Sequence, residues 1–259
     1  MNLSLDKSIA EGYKSHSQQA RVITESWIED EIYCPSCNQD HLERLRHGTR
    51  VVDFLCEECR EPFQVKSMSH KMGNRIVDSA YEAMVNAIEL GNCPSLIILH
   101  YSREDWTVEN IILIPRHLLG PSAIEKRNPL ADSARRAGWI GCNIILDNVP
   151  SSGRIYAVRD REAVEPNHVR REWSKYSFTK MIEPTRRGWL IDVLTCIQSL
   201  GKARFTLSEV YGFEHRLSNL HPENRHVRPK IRQQLQVLRD MGMLRFVTPG
   251  VYEISDWFP

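Results

Sequence analysis

Four cysteines stand in this sequence as two Cys-x-x-Cys pairs, Cys34 with Cys37 and Cys56 with Cys59. Eighteen residues separate the pairs, which is enough chain for a short hairpin. Two pairs at this spacing are typical of a zinc ribbon, in which four thiolates close the coordination shell and the ion is structural. Two disulfides or buried thiols are the alternatives. No signal peptide or long apolar stretch precedes the pairs, so we expect a cytoplasmic protein with reduced thiols and a bound Zn2+.

The chain between and just after these pairs contains groups suited to hydrolysis. Residues 50–55 have the composition of a strand, and Asp53 would point to one face of it. Residues 63–66 are also strand-like, with Gln64 and Lys66 on a shared face. If the two strands pair, a carboxylate, an amide oxygen and an ammonium group converge, and these groups suit Mg2+-dependent phosphodiester hydrolysis. The alternative is a solvated strand face of mixed charge.

Basic and amide side chains that could bind DNA occur in three places. A basic run containing His70 follows Lys66, and it either contacts phosphates or is only a solvated loop. A long loop contains two arginines and a tryptophan that would insert at a base step or else pack in the core. A predicted helix near the C-terminus presents Arg and Gln, which can bind guanine and adenine edges. The candidate residues are Lys71, Arg75, Arg135, Arg136, Trp139, Arg228, Lys230, Arg232 and Gln233.

The bulk properties narrow the function less than these residues do. The formal net charge of the 259 residues is +1, so the sequence does not indicate a globally basic nucleic-acid binder. A hydrophobic content of 41% and a charged content of 26% are ordinary for a soluble protein. No repeat or transmembrane span is recognised, and the length suits one large domain or two smaller ones. We therefore expect no membrane partner.

Hydrophobic periodicity predicts the elements that position the N-terminal candidates. Apolar residues at helical spacing indicate one helix capped by Ser17 and another over residues 75–90, ended by Gly91. Two Ile-rich runs are too short for helices and indicate central strands covered on both faces. Strands interleaved with helices predict an α/β or α+β domain up to about residue 160. The strands are predicted at residues 95–100, 110–114, 143–146 and 154–158.

The composition changes after residue 160. Residues 160–185 are charged and irregular, which suits a linker with one short helix. From residue 187 onward the pattern predicts three helices and a terminal hairpin, and a capping box formed by Thr206 and Glu209 opens the second helix. Three helices followed by a hairpin indicate a winged helix-turn-helix. We therefore predict a first domain over residues 1–182, with the zinc-binding insertion at 34–59, and a second domain over 183–259.

Several long stretches of this chain resemble the DpnI-type methyl-directed restriction endonucleases. The resemblance extends over nearly the whole length and includes both Cys-x-x-Cys pairs. Its most specific segments are Asp53-Phe54, Ala134-Arg-Arg-Ala-Gly-Trp-Ile-Gly-Cys-Asn143, Arg187-Gly-Trp189 and Lys230-Ile-Arg-Gln-Gln-Leu-Gln-Val-Leu-Arg-Asp240. The resemblance implies an α/β (α+β) PD-(D/E)xK nuclease core with an embedded four-cysteine zinc ribbon, followed by a small winged helix-turn-helix domain.

The activity implied by the resemblance is cleavage of both strands of double-stranded DNA at GATC sites whose adenines carry N6-methyl groups. The catalytic residues would be Asp53, Gln64 and Lys66, with Mg2+ held by Asp53, Gln64 and Val65. Both domains would engage the methylated DNA. No small-molecule substrate is implied, and we expect a monomer.

One residue departs from the family pattern. A Glu is expected two residues before the lysine, and this chain has Gln64, which offers a carbonyl oxygen but no negative charge. We interpret Gln64 as a tolerated variant, because one neutral ligand changes field strength more than geometry. The alternatives are a non-cleaving protein that binds methylated DNA, a zinc-ribbon and winged-helix regulator, and a repair or RNA-processing nuclease on the same core.

Overall fold

A computed structural model describes residues 1–45, 52–256 and 258 of the chain. Two residues of the strand predicted at 50–55, Arg50 and Val51, lie outside the described residues. The helices are α1 His16–Glu31, α2 Tyr81–Glu89, α3 Pro166–Ser174, α4 Pro184–Leu200, α5 Leu207–Tyr211, α6 Glu214–Leu220 and α7 Val227–Asp240. The strands are β1 Glu43–Arg44, β2 Phe54–Leu55, β3 Pro62–Met68, β4 Arg75–Ala80, β5 Ser95–Ser102, β6 Thr107–Ile114, β7 Ile124–Lys126, β8 Gly141–Ile145, β9 Ile155–Arg159, β10 Glu162–Ala163, β11 Arg204–Thr206, β12 Leu244–Thr248 and β13 Val251–Ile254.

The largest sheet in the described part of the chain has seven strands in the order β1-β2-β3-β5-β6-β9-β10. Strands β3 and β5 are parallel, and the other neighbours are antiparallel. The Ile-rich segments form β5 and β6 at the centre, where nearly every side chain is buried. Their prediction as central strands covered on both faces is confirmed, because apolar side chains on both faces of a strand require two covering layers.

Two hydrophobic clusters cover the two faces of this sheet. Alternate side chains of β5 divide between them: Ile97 packs with the α1 and α3 cluster, and Ile98 packs with the α2 and α4 cluster. The first face buries Trp27 of α1 and Trp173 of α3, as the spacing of apolar residues in α1 predicts. Helix α1 begins two residues earlier than expected, at His16 and not after Ser17, so Ser17 lies inside it and does not cap it.

A second sheet has the order β4-β8-β7 and lies beside α2. The prediction of one helix over residues 75–90 is wrong in its first part, because Arg75–Ala80 form strand β4 paired antiparallel with β8. Side chains alternate along β4, with Ile76 and Asp78 buried and Val77 exposed, which is the period of a strand. The helix begins at Tyr81, and Gly91 follows its end with a positive φ of 68°.

The short helix predicted within residues 160–185 is present as α3, but the segment is more than a linker. Helix α3 packs Val169 and Trp173 into the core against the large sheet, and Ser177–Met181 form a short 3-10 helix. Strand β10 at the start of this segment extends the sheet edge. The charged residues misled the prediction because they occupy only the outer face of an amphipathic helix.

The C-terminal part contains four helices and a three-stranded sheet in the order β11-β13-β12. The capping box predicted at Thr206 is confirmed, because its side chain accepts a hydrogen bond from the Glu209 backbone N–H and Glu209 bonds back. The predicted hairpin is also confirmed as β12 and β13. The predicted second helix is divided into α5 and α6 at Gly212 and Phe213, so one helix more is present than the three predicted.

Helix α4 joins the C-terminal part to the rest of the molecule. Residues 188–197 are buried in every direction, because α4 packs against α5 and α7 on one side and against α2 on the other. One continuous hydrophobic cluster therefore includes Met84, Leu194 and Leu235. The domain boundary predicted at residue 183 falls one residue before α4.

Polar contacts strengthen the same junction. The Asp192 carboxylate of α4 accepts a hydrogen bond from Ser122 Oγ at 2.7 Å and contacts His221 Nε2 at 2.6 Å. The His221 ring stacks on Trp189 with a centroid distance of 3.9 Å. No helix within the described residues is long and apolar enough to cross a membrane.

Candidate functional site

The predicted catalytic residues meet where β2 and β3 diverge. The backbone N–H of Asp53 donates to the Phe63 carbonyl at 2.8 Å, which continues the antiparallel ladder beyond Phe54. The next contact is different, because the Val65 N–H donates to the Asp53 carboxylate oxygen Oδ2 at 2.8 Å. The carboxylate therefore replaces a ladder partner, and this hydrogen bond fixes it against β3.

Gln64 and Lys66 lie on the face of β3 that is covered by the α2 and α4 cluster. The neighbouring strand pairs Gln64 with Leu96 and Lys66 with Ile98, and both of these apolar side chains belong to that cluster. Asp53 precedes Phe54, whose ring packs into the opposite cluster. Alternation along β2 therefore places Asp53 on the same face as Gln64 and Lys66, as the sequence predicts.

The Gln64 side chain supplies a test of whether a cation fits at this position. Gln64 is buried, and its Oε1 atom has no hydrogen-bond partner within the described residues. A buried amide oxygen without a partner is costly, because it has lost its water without replacement. An amide carbonyl beside a carboxylate is a ligand pair suited to Mg2+, which prefers oxygen. The residues present therefore fit a hard divalent cation held by Asp53 and Gln64.

A second carboxylate, which the sequence did not indicate, lies at this site. Asp78 on β4 forms an ion pair with Lys66 Nζ, and the Asp78 side chain is fully buried whereas Lys66 retains 16% exposure. The prediction of a helix over residues 75–90 concealed this contact, because it placed Asp78 on a helix surface. The sequence offers no alternation that would have indicated this strand, because the apolar Val77 is exposed and the charged Asp78 is buried.

The surroundings of Asp78 show that the site lies between the two sheets of the N-terminal part. Cys142 on β8 lies with its Sγ atom 4.0 Å from Asp78 Oδ2. Burial, together with the negative charge of Asp78, raises the pKa of the Cys142 thiol to about 11. Cys93, Cys142 and Cys196, the three cysteines outside the two pairs, are all buried.

The four cysteines of the two pairs come together as predicted. Their sulphur atoms all lie within 4.8 Å of one another, with Cys34 Sγ 3.6 Å from Cys59 and Cys37 Sγ 3.5 Å from Cys56. Disulfide sulphurs are about 2.05 Å apart, so none of these pairs is bonded. Thiolates about 2.3 Å from a tetrahedral ion lie roughly 3.8 Å apart, which matches this cluster. The cluster can therefore hold a metal ion.

The cysteine cluster is attached directly to the elements of the candidate catalytic site. Cys34 follows α1, and Cys56 follows β2. The Cys56 N–H donates to the carbonyl of Glu61 at 3.0 Å, immediately before β3. Burial raises the pKa of the Cys34 thiol. An ion that stabilises the Cys34 thiolate would therefore stabilise the segment that follows α1. The cluster holds β2 and β3 together at the end opposite Lys66.

The loop that contains Arg135, Arg136 and Trp139 connects β7 to β8 of the second sheet. Backbone hydrogen bonds shape it, since the Leu130 N–H donates to Trp139 O at 2.9 Å and the Gly138 N–H donates to Leu130 O at 3.0 Å. Both arginines are exposed, and Trp139 is half-buried outside both hydrophobic clusters. The Arg136 guanidinium lies 4.5 Å from the Trp139 ring centroid. This loop extends from the sheet that contains Asp78.

The two basic residues predicted after Lys66 differ in their surroundings. Lys71 is exposed in the connection between β3 and β4. Arg75 forms two hydrogen bonds to Glu125, with its Nε at 2.8 Å from Oε2 and its second nitrogen at 2.9 Å from Oε1. The same contact with Arg75 lowers the pKa of Glu125 to about 2. A phosphate would have to compete with Glu125 for Arg75.

Helix α7 presents most of the remaining candidates. Its apolar side chains Ile231, Leu235 and Leu238 are buried, which leaves Arg232 and Gln233 exposed. Arg228 is exposed but forms an ion pair with Glu214 at 2.8 Å. Lys230 is half-buried. The exposed face of α7 is the part of this helix that a DNA groove can approach.

Comparison with protein families gives two matches along this chain. A model described as DpnI, Dam-replacing family, matches residues 1–182. A second model, described as the Dam-replacing HTH domain, matches residues 185–254. The first match contains the cysteine cluster and the Asp53, Gln64 and Lys66 group, and the second contains α7 and the β12–β13 hairpin.

Proposed function

Since the chain belongs to the DpnI or Dam-replacing family, which is a family of restriction endonucleases, we propose that it cleaves double-stranded DNA at GATC sites whose adenines carry N6-methyl groups. DNA binding follows from the family and from its HTH domain. The methyl requirement, the GATC sequence and the dependence on Mg2+ are parts of the proposal. The β12–β13 hairpin following α7 makes this domain a winged helix in the proposal.

The observation that supports cleavage is the arrangement of Asp53, Gln64 and Lys66. Asp53 is held by the Val65 N–H, Gln64 turns a buried oxygen without a partner to the same face, and Lys66 follows two residues later. This grouping is that of a PD-(D/E)xK nuclease with Gln in place of Glu. We assign the core to that class of fold.

In the proposed mechanism, Asp53, Gln64 and the main chain at Val65 hold the cation. A bound Mg2+ supplies polarisation of the scissile phosphate and a lowered pKa for water. Lys66 orients the attacking water by hydrogen bonding and stabilises the negative charge that develops on the phosphoryl oxygens. The water forms the new P–O bond, the bond to the leaving oxygen breaks, and that oxygen receives a proton.

The remaining candidates have roles in binding. Arg135 and Arg136 hold the phosphate backbone, and Trp139 contacts the base step or the methyl group from the β7–β8 loop. Arg232 and Gln233 bind base edges in the major groove from α7. Lys71, Arg75, Arg228 and Lys230 contribute phosphate contacts. The cysteine cluster holds a structural Zn2+ as a zinc ribbon, in a reducing cytoplasm.

The deciding experiment uses two preparations of one plasmid, one methylated at the adenines of GATC and one unmethylated. Purified protein is incubated with each plasmid in Mg2+ at fixed salt. We expect double-strand breaks at GATC in the methylated plasmid only. Equal cleavage of both plasmids would contradict the methyl requirement, and no cleavage of either would contradict the nuclease assignment.

A second candidate function is favoured by one residue. Gln64 removes a negative charge from the cation site, and a protein that binds methylated DNA without cutting it is compatible with that loss. Binding of the methylated duplex in Mg2+, with neither strand cut after long incubation, would support this second function.

A further inference from the structure

The side chains of the proposed cation site carry no net charge. Asp53 contributes one negative charge, Lys66 one positive charge, and Gln64 none. These three residues are therefore neutral together, whereas Mg2+ is usually held by one or two carboxylates together with substrate phosphates, so the side chains alone give the site no net negative charge. Another anionic group near Lys66 would restore the negative charge.

Asp78 is an anionic group at that position. Its carboxylate forms the ion pair with Lys66 Nζ, and its side chain has no exposure to solvent. A buried ion pair adds little to the free energy of unfolding, because desolvation of both charges offsets most of their attraction. The neighbours Ile76 and Ile144 are apolar, and an apolar residue would fit among them at lower cost. The pair is therefore better explained by a requirement of the site.

The strand geometry brings this charge close to the cation ligands. Lys66 follows Gln64 by two residues on the same face of β3, a separation of about 7 Å along the strand. The Asp78 carboxylate contacts the end of the Lys66 side chain from the opposite sheet. Asp78 has no exposure and Lys66 is only 16% exposed, so a unit charge there is screened less than a charge at the surface.

We propose that Asp78 is a positioning residue that anchors Lys66 and supplies to the cation site the negative charge that Gln64 lacks. Asp78 on β4 thus places a negative charge beside Lys66, where Gln64 on β3 provides none. This inference rests on the proposed function, since it concerns the same cation site. Asp78 acts through Lys66 and through its electrostatic field.

The test is a double-mutant cycle on the full-length chain between Asp78→Asn and Gln64→Glu. We expect Asp78→Asn to raise the Mg2+ concentration for half-maximal cleavage about tenfold, the effect of one unit charge at this range. In the double variant that combines Asp78→Asn with Gln64→Glu, the Mg2+ concentration for half-maximal cleavage should return to within about threefold of the wild-type value. The reason is that Gln64→Glu places a negative charge on β3. Asp105→Asn is the matched control, because it also removes a carboxylate from an ion pair, with Arg161, away from this site.

A second measurement does not depend on cleavage. Calorimetric titration of Ca2+ into the protein bound to methylated duplex reports cation affinity. We expect Asp78→Asn to bind Ca2+ more weakly than wild type does, and the double variant to recover most of the wild-type affinity. Unchanged cation affinity in Asp78→Asn would overturn the proposal, even if cleavage fell. Failure of Gln64→Glu to restore affinity would overturn it as well.

Folding and the proposed function are separated by two further controls. If Asp78→Asn lowers the yield of folded protein, Asp78→Glu is the alternative variant, because it keeps the negative charge. We expect Asp78→Glu to bind Ca2+ with near-wild-type affinity. A loss of affinity as large as that of Asp78→Asn would contradict a role for charge. A wild-type chain that cuts neither plasmid but binds Ca2+ in an Asp78-dependent manner would refute the nuclease assignment and leave this inference standing.

Discussion

At the scale of single residues, Asp53 is the residue on which the proposed chemistry depends most. Asp53 supplies a carboxylate to the site next to β2, and the Val65 N–H holds that carboxylate in place. We expect Asp53→Ala and Lys66→Ala each to lower the rate of single-turnover cleavage by about 100-fold or more, since each removes charge stabilisation that acts in the transition state. Fluorescence anisotropy with the methylated duplex should show binding within about threefold of wild type. Wild-type cleavage by Asp53→Ala would show that the active site lies elsewhere.

The sequence predicted part of this site and missed another part for a definite reason. Asp53, Gln64 and Lys66 were predicted to share a face from alternation along two short strands, and the structure places them on one face. Asp78 was missed because a strand of six residues runs directly into α2, so the apolar residues of both fit a single helical stripe. Local periodicity cannot separate a strand from a helix that it adjoins.

At the scale of elements, the cysteine cluster connects the ends of β2 and β3. The first Cys pair follows α1 and the second lies in the turn between these strands, so an ion bound there joins three elements. We expect one equivalent of zinc per chain by elemental analysis. Cys56→Ser should lower the melting temperature and cleavage together, because the Asp53 strand loses its attachment. The control is Cys93→Ser, which changes a buried cysteine outside the cluster. Substantially less than one zinc per undamaged chain would contradict the zinc site.

The β7–β8 loop is the element in which phosphate and base contacts are expected. Arg135 and Arg136 are exposed, whereas Arg75 is already bound to Glu125. We expect Arg135→Ala to weaken DNA binding and to reduce the slope of log affinity against log salt by about one. Arg75→Ala should have a smaller effect, because Glu125 competes with phosphate. Trp139→Ala should reduce the preference for methylated duplex if the ring contacts the methyl group. An unchanged salt dependence in Arg135→Ala would exclude a phosphate contact.

Helix α7 is the corresponding element of the C-terminal part. Arg232 and Gln233 are exposed beside a fully buried apolar stripe. Replacing either by Ala should weaken binding of methylated duplex by about 1–3 kcal/mol if it contacts a base edge, and by less if it contacts phosphate alone. Gln236→Ala, at another exposed position of the same helix, is the control. Equal losses on methylated and unmethylated duplexes would leave methyl recognition to the first part of the chain.

The elements themselves were predictable where the local signals agreed. The Ile-rich strands, the capping box at Thr206 and the terminal hairpin are all present. The predictions failed where tertiary contacts decided. The short helix predicted at residues 160–185 is present as α3, but its packing into the core is not apparent from a composition that its charged face dominates. The break between α5 and α6 at Gly212 carries no strong breaker signal beyond the glycine itself.

At the scale of the whole molecule, helix α4 makes the two parts one body. Its central residues are buried against both, and Asp192 bonds to Ser122 on one side and His221 on the other. If both domains engage methylated DNA, residues 183–259 alone would bind methylated GATC better than unmethylated DNA. This hypothesis is difficult to test on the isolated segment, because removing the rest of the chain exposes one side of α4. We expect this segment to aggregate or to melt well below the full chain, measured by circular dichroism. A soluble, cooperatively folding segment would contradict this expectation, and its affinities for both duplexes would then test whether it recognises the methyl group.

The shared burial of α4 also determines the order of events during protein synthesis. The chain leaves the ribosome from its N-terminus, so Asp53, Lys66 and Asp78 emerge more than a hundred residues before α4 is complete. Until then, α2 and the turns Arg116–Leu118 and Pro121–Ala123 lack the helix that covers them. A nascent chain therefore contains Asp53, Lys66 and Asp78, the groups of the proposed cation site, before α4 covers α2 and these turns. We therefore expect cleavage only after translation has delivered α4 and the exposed face of α7, which completes the proposed DNA contacts.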